Sequence, residues 1–506
     1  MTEALEKDRS RAVESITDSQ LVCASAGTGK TTVLVNRYLE ILRSGQAAIP
    51  EIVAITFTEK AADEMKSRIR GALRKDSMLL GQRYRAMEEQ LSVAPISTVH
   101  SFCKRMIGEN FNRLGIDPLF QILDDTAEQL LREDFLDQYL QDLIQAENTH
   151  LHTLLKVMNP DRIRAAISSA WDRRFPLDQT ADFFLQNSPG DLLNHVEQWH
   201  HEDLLAKLQQ LFSDADFAAT LQAVRSLHCT NTADKLYGAF QVLLQADADI
   251  RQGRIPPSYA TGTLKAAFRG NIGSQKNWQE EIARVKDFQR TMSAKWKEFT
   301  GHDIPFDRDC EAEQIRSVRA FLHIARDFWE RYRSVLQGQN RLDFSSLESE
   351  ALRLLESPES AIGNYVARWK HLLVDEYQDI NPVQEAILQR IQQLNSNLVT
   401  FFVGDEKQSI YRFRGAEVEI FNQRRKQSDP LQLSSNFRST RALNRFFNDF
   451  FRWFLPGEGQ QEDYEAGYAE DVRSHFPNPE ADSRVDLIVI EKPDEENGQV
   501  ISTPVA

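Results

Sequence analysis

Short apolar runs alternate with longer periodic stretches at both ends of the chain. Gln20–Cys23, Ile52–Thr56, Leu372–Asp375 and Val399–Gly404 are rich in Leu, Ile, Val and Phe, and each leads into a polar turn and mostly into helical periodicity. That succession predicts buried parallel strands joined by crossover helices, an α/β fold. Between Asp125 and about Gly338 the texture changes to Leu, Gln, Glu, Ala and Arg with few β-branched runs and only occasional Pro or Gly. This block is predicted to be mostly helical. It separates the two strand-rich parts and so reads as an insertion into one α/β domain. A chain of 506 residues also exceeds the roughly 250–300 residues at which single cores stop growing.

Composition narrows the partners. A net charge of −15 favours solubility and argues against a wholly basic nucleic-acid coat, so any such contact must come from local patches. Cys23, Cys103, Cys229 and Cys310 lack the paired spacing of a zinc or iron–sulfur site, and a reduced, cytoplasmic setting is expected. No apolar run approaches the roughly 18 residues needed to cross a bilayer, so no membrane partner is expected.

Two segments carry the chemistry. In ASAGTGKT, the residues Ala24, Ser25, Ala26, Gly27, Thr28 and Gly29 form a small-residue turn between the strand Leu21–Cys23 and a helix from Lys30 to Leu42. Backbone N–H groups of such a turn wrap an anion, Lys30 neutralises it, and Thr31, followed by Thr32, offers a hydroxyl to Mg²⁺. Ala24 stands where the general pattern has its first glycine. In LLVDEYQD, the apolar run ends in Asp375 and Glu376, at the strand end where α/β sheets place ligands. Asp375 is assigned to the metal and Glu376 to the attacking water, with ATP and Mg²⁺ as the ligands. A third run, FFVGDEKQSIYRFRGA, places Gln408 to sense a γ-phosphate. It also interleaves Tyr411 and Phe413 with Arg412 and Arg414, a pattern suited to stacked bases and phosphates.

In this order the segments resemble the UvrD/Rep-type superfamily one helicases. ASAGTGKT resembles motif I, ITFTEKAADEM from Ile55 motif Ia, and STVHSFC from Ser97 motif Ib. VDEYQD resembles motif II, VGDEKQSIYRFRGA motif III, and LSSNFRST from Leu433 motif IV. FTEKAA, the segment FQILDD from Phe120 and the long insertion look more like the RecB and AddA helicase–nuclease subunits. LDFSSLESEALRLL from Leu342 resembles the point where those proteins re-enter their first RecA-like domain. The resemblance implies a first RecA-like ATP-binding domain at 1–125 and 339–430, a helical insertion at 126–338, and the start of a second RecA-like domain at 431–506.

It also implies roles for matching residues. Phe57, Thr58 and Lys60 would touch single-stranded DNA, with Thr98 and His100 near its backbone and with Tyr411 and Phe413 stacked on bases, Arg414 beside them. Arg438 would reach the γ-phosphate, Phe437 would stack on adenine, and Arg37 would lie near the nucleotide. One departure stands out: where the family has a glutamine that reads adenine, this chain has Arg9.

The remaining signals are weaker. Basic residues from Arg251 to Lys297, interleaved with Phe268, Trp278 and Trp296, suit either a duplex surface or a solvated helical face. His195, His200 and His201 lack the i,i+4 pairing of a metal site. Motifs V and VI are not found before Ala506, and a last strand-like run spans Val485–Ile490. The expectation is therefore the amino-terminal portion of an ATP-dependent DNA helicase or translocase, moving 3′ to 5′ by resemblance, acting at single-stranded DNA and duplex junctions in recombinational double-strand-break repair. An AddB-like or RecC-like partner subunit is implied. The alternative is an ATP-responsive single-stranded-DNA-binding module that does not unwind.

Overall fold

The computed structural model describes residues 2–80, 82–171, 173–260, 262–267, 275–300, 306–412, 415–455, 457, 464–467 and 473–474. Phe413, Arg414, Phe268 and the run 485–490 lie outside them.

The four apolar runs are strands, as their pattern predicts, and two three-residue strands join them. They are β1 (Gln20–Ala24), β2 (Ile52–Thr56), β3 (Ile96–Thr98), β4 (His371–Val374), β5 (Val399–Gly404) and β6 (Leu431–Leu433). The sheet is parallel throughout, in the order β3-β2-β4-β5-β1-β6. β6 pairs with β1, so this sheet extends past the boundary drawn at residue 430.

Because strand side chains alternate, each run feeds two cores. Leu21, Cys23, Val53, Ile55, Leu372, Val374 and Phe402 pack on one face, under helices Val99–Glu109, Phe344–Leu355 and Pro382–Leu394. Val22, Ala24, Ile52, Ala54, Leu373, Phe401 and Val403 pack on the other, under Lys30–Ser44 and Glu59–Leu80. Burial on both faces explains why the strands read as continuous apolar runs rather than as alternating ones. Each fully buried Leu, Ile or Val contributes about 1.5–3 kcal/mol.

The chain forms two compact units. The sheet unit comprises 1–137, 168–176 and 329–506, and the helical unit 138–167 and 177–328. Residues 126–137, 168–176 and 329–338, placed in the insertion by sequence, thus group with the sheet. Within the sheet unit Gln121–Ile122 pairs with Arg341–Leu342, so the points where the chain leaves and returns are hydrogen-bonded together.

The helical unit has its own core, in which Trp278 and Trp296 are buried beside Phe217 and Phe240. The two tryptophans are therefore not a stacking surface. Arg251 pairs with Asp247, Arg254 with Asp249, Arg284 with Glu281, Arg290 with Asp287 and Lys295 with Asp214, so much of the basic stretch is locally neutralised. Among the described residues no helix is long and apolar enough to cross a membrane. The four cysteines are free thiols.

Candidate nucleotide and nucleic-acid site

The loop after β1 is shaped by two left-handed glycines, Gly27 at φ 78° and Gly29 at φ 81°. Side chains rarely adopt that conformation. A Cβ on Gly27 would also meet Asn436 Nδ2 at 2.8 Å and Arg438 Cβ at 2.9 Å. Thr28 Oγ1 donates to Ser25 O across 2.7 Å and holds the turn closed. Gly29 caps helix Lys30–Ser44 without a side chain, so no side chain occupies the first-turn N–H groups that would receive an anion.

The acids of β4 face this loop. Thr31 Oγ1 donates to Asp375 Oδ2 across 3.2 Å, and Lys30 Nζ lies 2.9 Å from Glu376 Oε2. The lysine approaches without hydrogen-bond geometry, and its buried ammonium has no hydrogen-bond partner among the described residues. Glu376 itself is left-handed at φ 51°, an uncommon conformation for a side-chain-bearing residue and one that clusters at functional sites. Burial and then the charge of Glu376 push the Asp375 carboxyl up to about 6 against the pull of Lys30. The same causes push Asp379 up to about 7.

Crowded carboxylates and a buried ammonium without a hydrogen bond fit the ligands that the sequence implies. Phosphate would satisfy Lys30, and a cation would relieve the acids. No group of three or more His, Cys, Asp or Glu among the described residues would hold a metal alone. Mg²⁺ sites normally combine one or two carboxylates with substrate phosphates.

A buried network leads from the acids to β5. Gln378 Nε2 donates to Glu376 Oε2 across 2.9 Å, and its Oε1 accepts the N–H of Asp405 across 2.9 Å. Asp405 Oδ2 accepts from Gln408 Nε2 at 2.6 Å, and Lys407 Nζ sits 2.8 Å from Asp405 Oδ1. Gln408 is thus placed at the strand end through Asp405. Beyond it Tyr411 meets Phe57, with ring centroids 4.7 Å apart.

Phe57 follows β2, so this aromatic pair joins two strand ends. Nearby, Thr58 is exposed and caps helix Glu59–Leu80 by accepting from Ala61 N at 3.1 Å, and Lys60 is exposed on its first turn. Thr98, expected near a DNA backbone, is buried. Its hydroxyl donates to Glu59 Oε1 at 2.7 Å and accepts from Ser101 N at 3.2 Å, so it is already committed to capping. His100 is half-buried, stacked 4.6 Å from Phe344, with Nε2 3.0 Å from the buried Glu348 Oε1. Asn381 and Gln384 donate to that same carboxylate.

The segment after β6 closes on the loop. Asn436 Nδ2 donates to Ala26 O and Phe437 N to Gly27 O, both across 2.8 Å. Asn436 Oδ1 accepts from Arg438 N and Ser439 N, each at 2.8 Å, an Asx turn that sets Arg438 beside Gly27. Phe437 is 46% exposed, and the Arg9 guanidinium lies 4.9 Å over its ring.

Arg37 is not at the nucleotide. It lies two turns along its helix from Lys30, roughly 10 Å at 1.5 Å per residue. Its guanidinium donates to Ala12 O, Gln20 Oε1 and Asp18 O at 2.9, 3.0 and 2.8 Å, at the opposite end of β1 from the loop. The role is structural. Conversely, Asn436 and Asp405 were not singled out from the sequence. Asn436 carried a signal in its position two residues before an arginine in a polar turn.

A phosphate loop on β1 facing paired acids on β4, all at the carboxyl ends of a parallel sheet, places the chain among the P-loop NTPases. The UvrD/REP helicase N-terminal domain matches residues 5–429, and the chain belongs to that family. Three similar proteins are each named as the AddA subunit of an ATP-dependent helicase/nuclease. The one from Clostridium kluyveri (strain ATCC 8527 / DSM 555 / NBRC 12016 / NCIMB 10680 / K1) is 29% identical over 94% of this chain and 41% of its own. The one from Lactobacillus helveticus (strain DPC 4571) is 30% identical over 91% and 41%, and that from Latilactobacillus sakei subsp. sakei (strain 23K) 28% over 94% and 58%. The chain spans about two fifths of the length of the first two relatives and under three fifths of the third.

Proposed function

We propose that this chain is the ATP-hydrolysing motor portion of a DNA helicase–nuclease subunit. The observation that carries the reading is the pairing of Thr31 with Asp375 and of Lys30 with Glu376 across the phosphate loop. The family match and the printed names of the relatives support it.

Lys30 and the loop N–H groups would bind the phosphates, and Thr31 and Asp375 would hold Mg²⁺. When bound, that ion neutralises charge on the phosphate oxygens. Glu376 would accept the proton of the attacking water, its carboxylate oriented by Gln378. Gln408 and Arg438 would sense the terminal phosphate. The Arg438 guanidinium has no hydrogen-bond partner among the described residues and is available for that task.

Phe57 and Tyr411 would stack on bases of single-stranded DNA, linked to the acids through Asp405 and Gln378. Lys60 and His100 would lie along its backbone. Travel from 3′ to 5′, action at duplex junctions, a role in recombinational repair and an AddB-like or RecC-like partner follow from the resemblance and belong to this proposal.

The test is steady-state ATP hydrolysis by the chain, alone and with single-stranded DNA or RNA, beside Glu376→Gln. DNA should stimulate turnover more than RNA. The variant should bind ATP while losing about 10²–10⁴-fold in kcat, the usual worth of a general base. Undiminished hydrolysis by the variant would remove Glu376 from the mechanism.

A further inference from the structure

The nucleotide site is asymmetric in its hydrogen-bonding chemistry at the end where a base would lie. Arg9 Nη2 donates to Thr28 O across 2.7 Å, and a Cβ on Gly29 would stand 2.7 Å from that same nitrogen. The guanidinium also lies over the half-exposed ring of Phe437, whose backbone N–H is bonded to Gly27 O. Arg9 and Phe437 are thus both fastened to the phosphate loop. A nucleotide whose phosphates fill that loop has a flat apolar face and a cationic fork within reach of its base. Among the described residues Thr28 O is the one protein acceptor bonded to the Arg9 guanidinium.

A guanidinium has five N–H donors and no acceptor, so four remain here. Adenine offers a donor, N6–H₂, beside its N7 acceptor, and the side chain that matches it bidentately is an amide with one acceptor and one donor. Guanine offers two acceptors there, O6 and N7, which match an arginine fork. An arginine aimed at the base therefore cannot accept from the amino group of adenine, but it can donate twice to guanine.

We propose that Arg9 sets the base preference of this site, so that guanine nucleotides are accepted at least as well as adenine nucleotides. This rests on the nucleotide-site reading above and specifies its substrate class as purine nucleoside triphosphates rather than ATP alone. Phe437 stacks on either purine with little discrimination, because every base has a π face.

The experiment compares kcat/KM for ATP and GTP on the full chain and on Arg9→Gln and Arg9→Lys, with inorganic tripolyphosphate as a competitor that has no base. The ratio of the two substrates cancels any general damage to the loop. Wild-type protein should use GTP within about threefold of ATP or better. Arg9→Gln should move the ratio at least about tenfold towards ATP, mainly through KM, since a bidentate base contact discriminates by roughly 5- to 150-fold. A wild-type preference for ATP above about 100-fold, or a ratio unmoved in both variants, would overturn the proposal. Hydrolysis of neither nucleotide, with no tripolyphosphate binding, would instead overturn the nucleotide-site reading beneath it.

Discussion

Gln378 Nε2 donates to Glu376 Oε2 across 2.9 Å, tying a carboxylate at the end of β4 to an amide that is only 2% exposed. Because the oxygen of that amide takes the N–H of Asp405, the amide is fixed at both ends. Replacing Gln378 with Ala removes a buried contact worth about 1–3 kcal/mol and leaves the Asp405 N–H without this partner. The expected outcome is a 5- to 150-fold fall in kcat for ATP hydrolysis with a smaller change in nucleotide affinity. Single-turnover hydrolysis and equilibrium binding separate the two.

Phe57 and Tyr411 meet at a centroid distance of 4.7 Å at the ends of two separate segments. If they carry bases, Phe57→Ala or Tyr411→Ala should weaken single-stranded DNA binding by about 1–3 kcal/mol, with unstimulated ATP hydrolysis nearly unchanged. Fluorescence anisotropy with a labelled oligonucleotide measures the first, and turnover without DNA the second. DNA affinity at the wild-type level in both variants would place the strand elsewhere.

Arg37 is 1% exposed, and its three hydrogen bonds bind the amino-terminal segment and the start of β1 to the helix after the loop. Its stacking on Phe401, 4.4 Å from the ring centroid, adds a packing contribution. Arg37→Met should therefore cost stability, about 2–4 kcal/mol by denaturant unfolding, because buried oxygens lose their donors. ATP affinity of the folded protein should stay within about twofold. A selective loss of ATP binding would restore Arg37 to the nucleotide.

His371, at the buried start of β4, is held neutral. Burial, then the charges of Arg37 and Lys370, bring its imidazole down to about 4 from 6.5, with Glu51 opposing. The unfolded chain thus binds the extra proton between these values. The stabilisation is complete above about pH 6.5 and is lost as pH falls towards 4. Comparing urea unfolding at about pH 7.5 and pH 5, His371→Gln should lose about 1–2 kcal/mol less than wild type over that interval. An identical acid limb in the two proteins would show that other groups carry it.

The glycine-rich loop, Lys30, Thr31, the acids after β4 and the aromatic Tyr411 were legible because each sits in a short segment whose meaning is local. Left-handed glycines make a turn, and an apolar run ending in acids makes a strand with ligands at its tip. β3 and β6, three residues each, carry too little periodicity to be read and exist through pairing with β2 and β1. Thr98 and Arg37 were misjudged for a related reason. Their types suit nucleic acid and phosphate, but Thr98 is drawn into a helix cap with Glu59, and Arg37 into bonds with Ala12, Asp18 and Gln20.

What the sequence determined by itself was the inventory: a parallel α/β sheet, a helical insertion, and phosphate and acid motifs in a fixed order. Periodicity and turn chemistry act over a few residues, so they survive in a linear reading. Tertiary structure decided which of those residues face one another. Only the folded sheet brings Thr31 to Asp375, Gln378 to Asp405, Arg9 to Phe437 and Asn436 to the loop. Those contacts join strand ends far apart in the chain, where hydrogen-bond and ring geometry, rather than residue type, sets the partner.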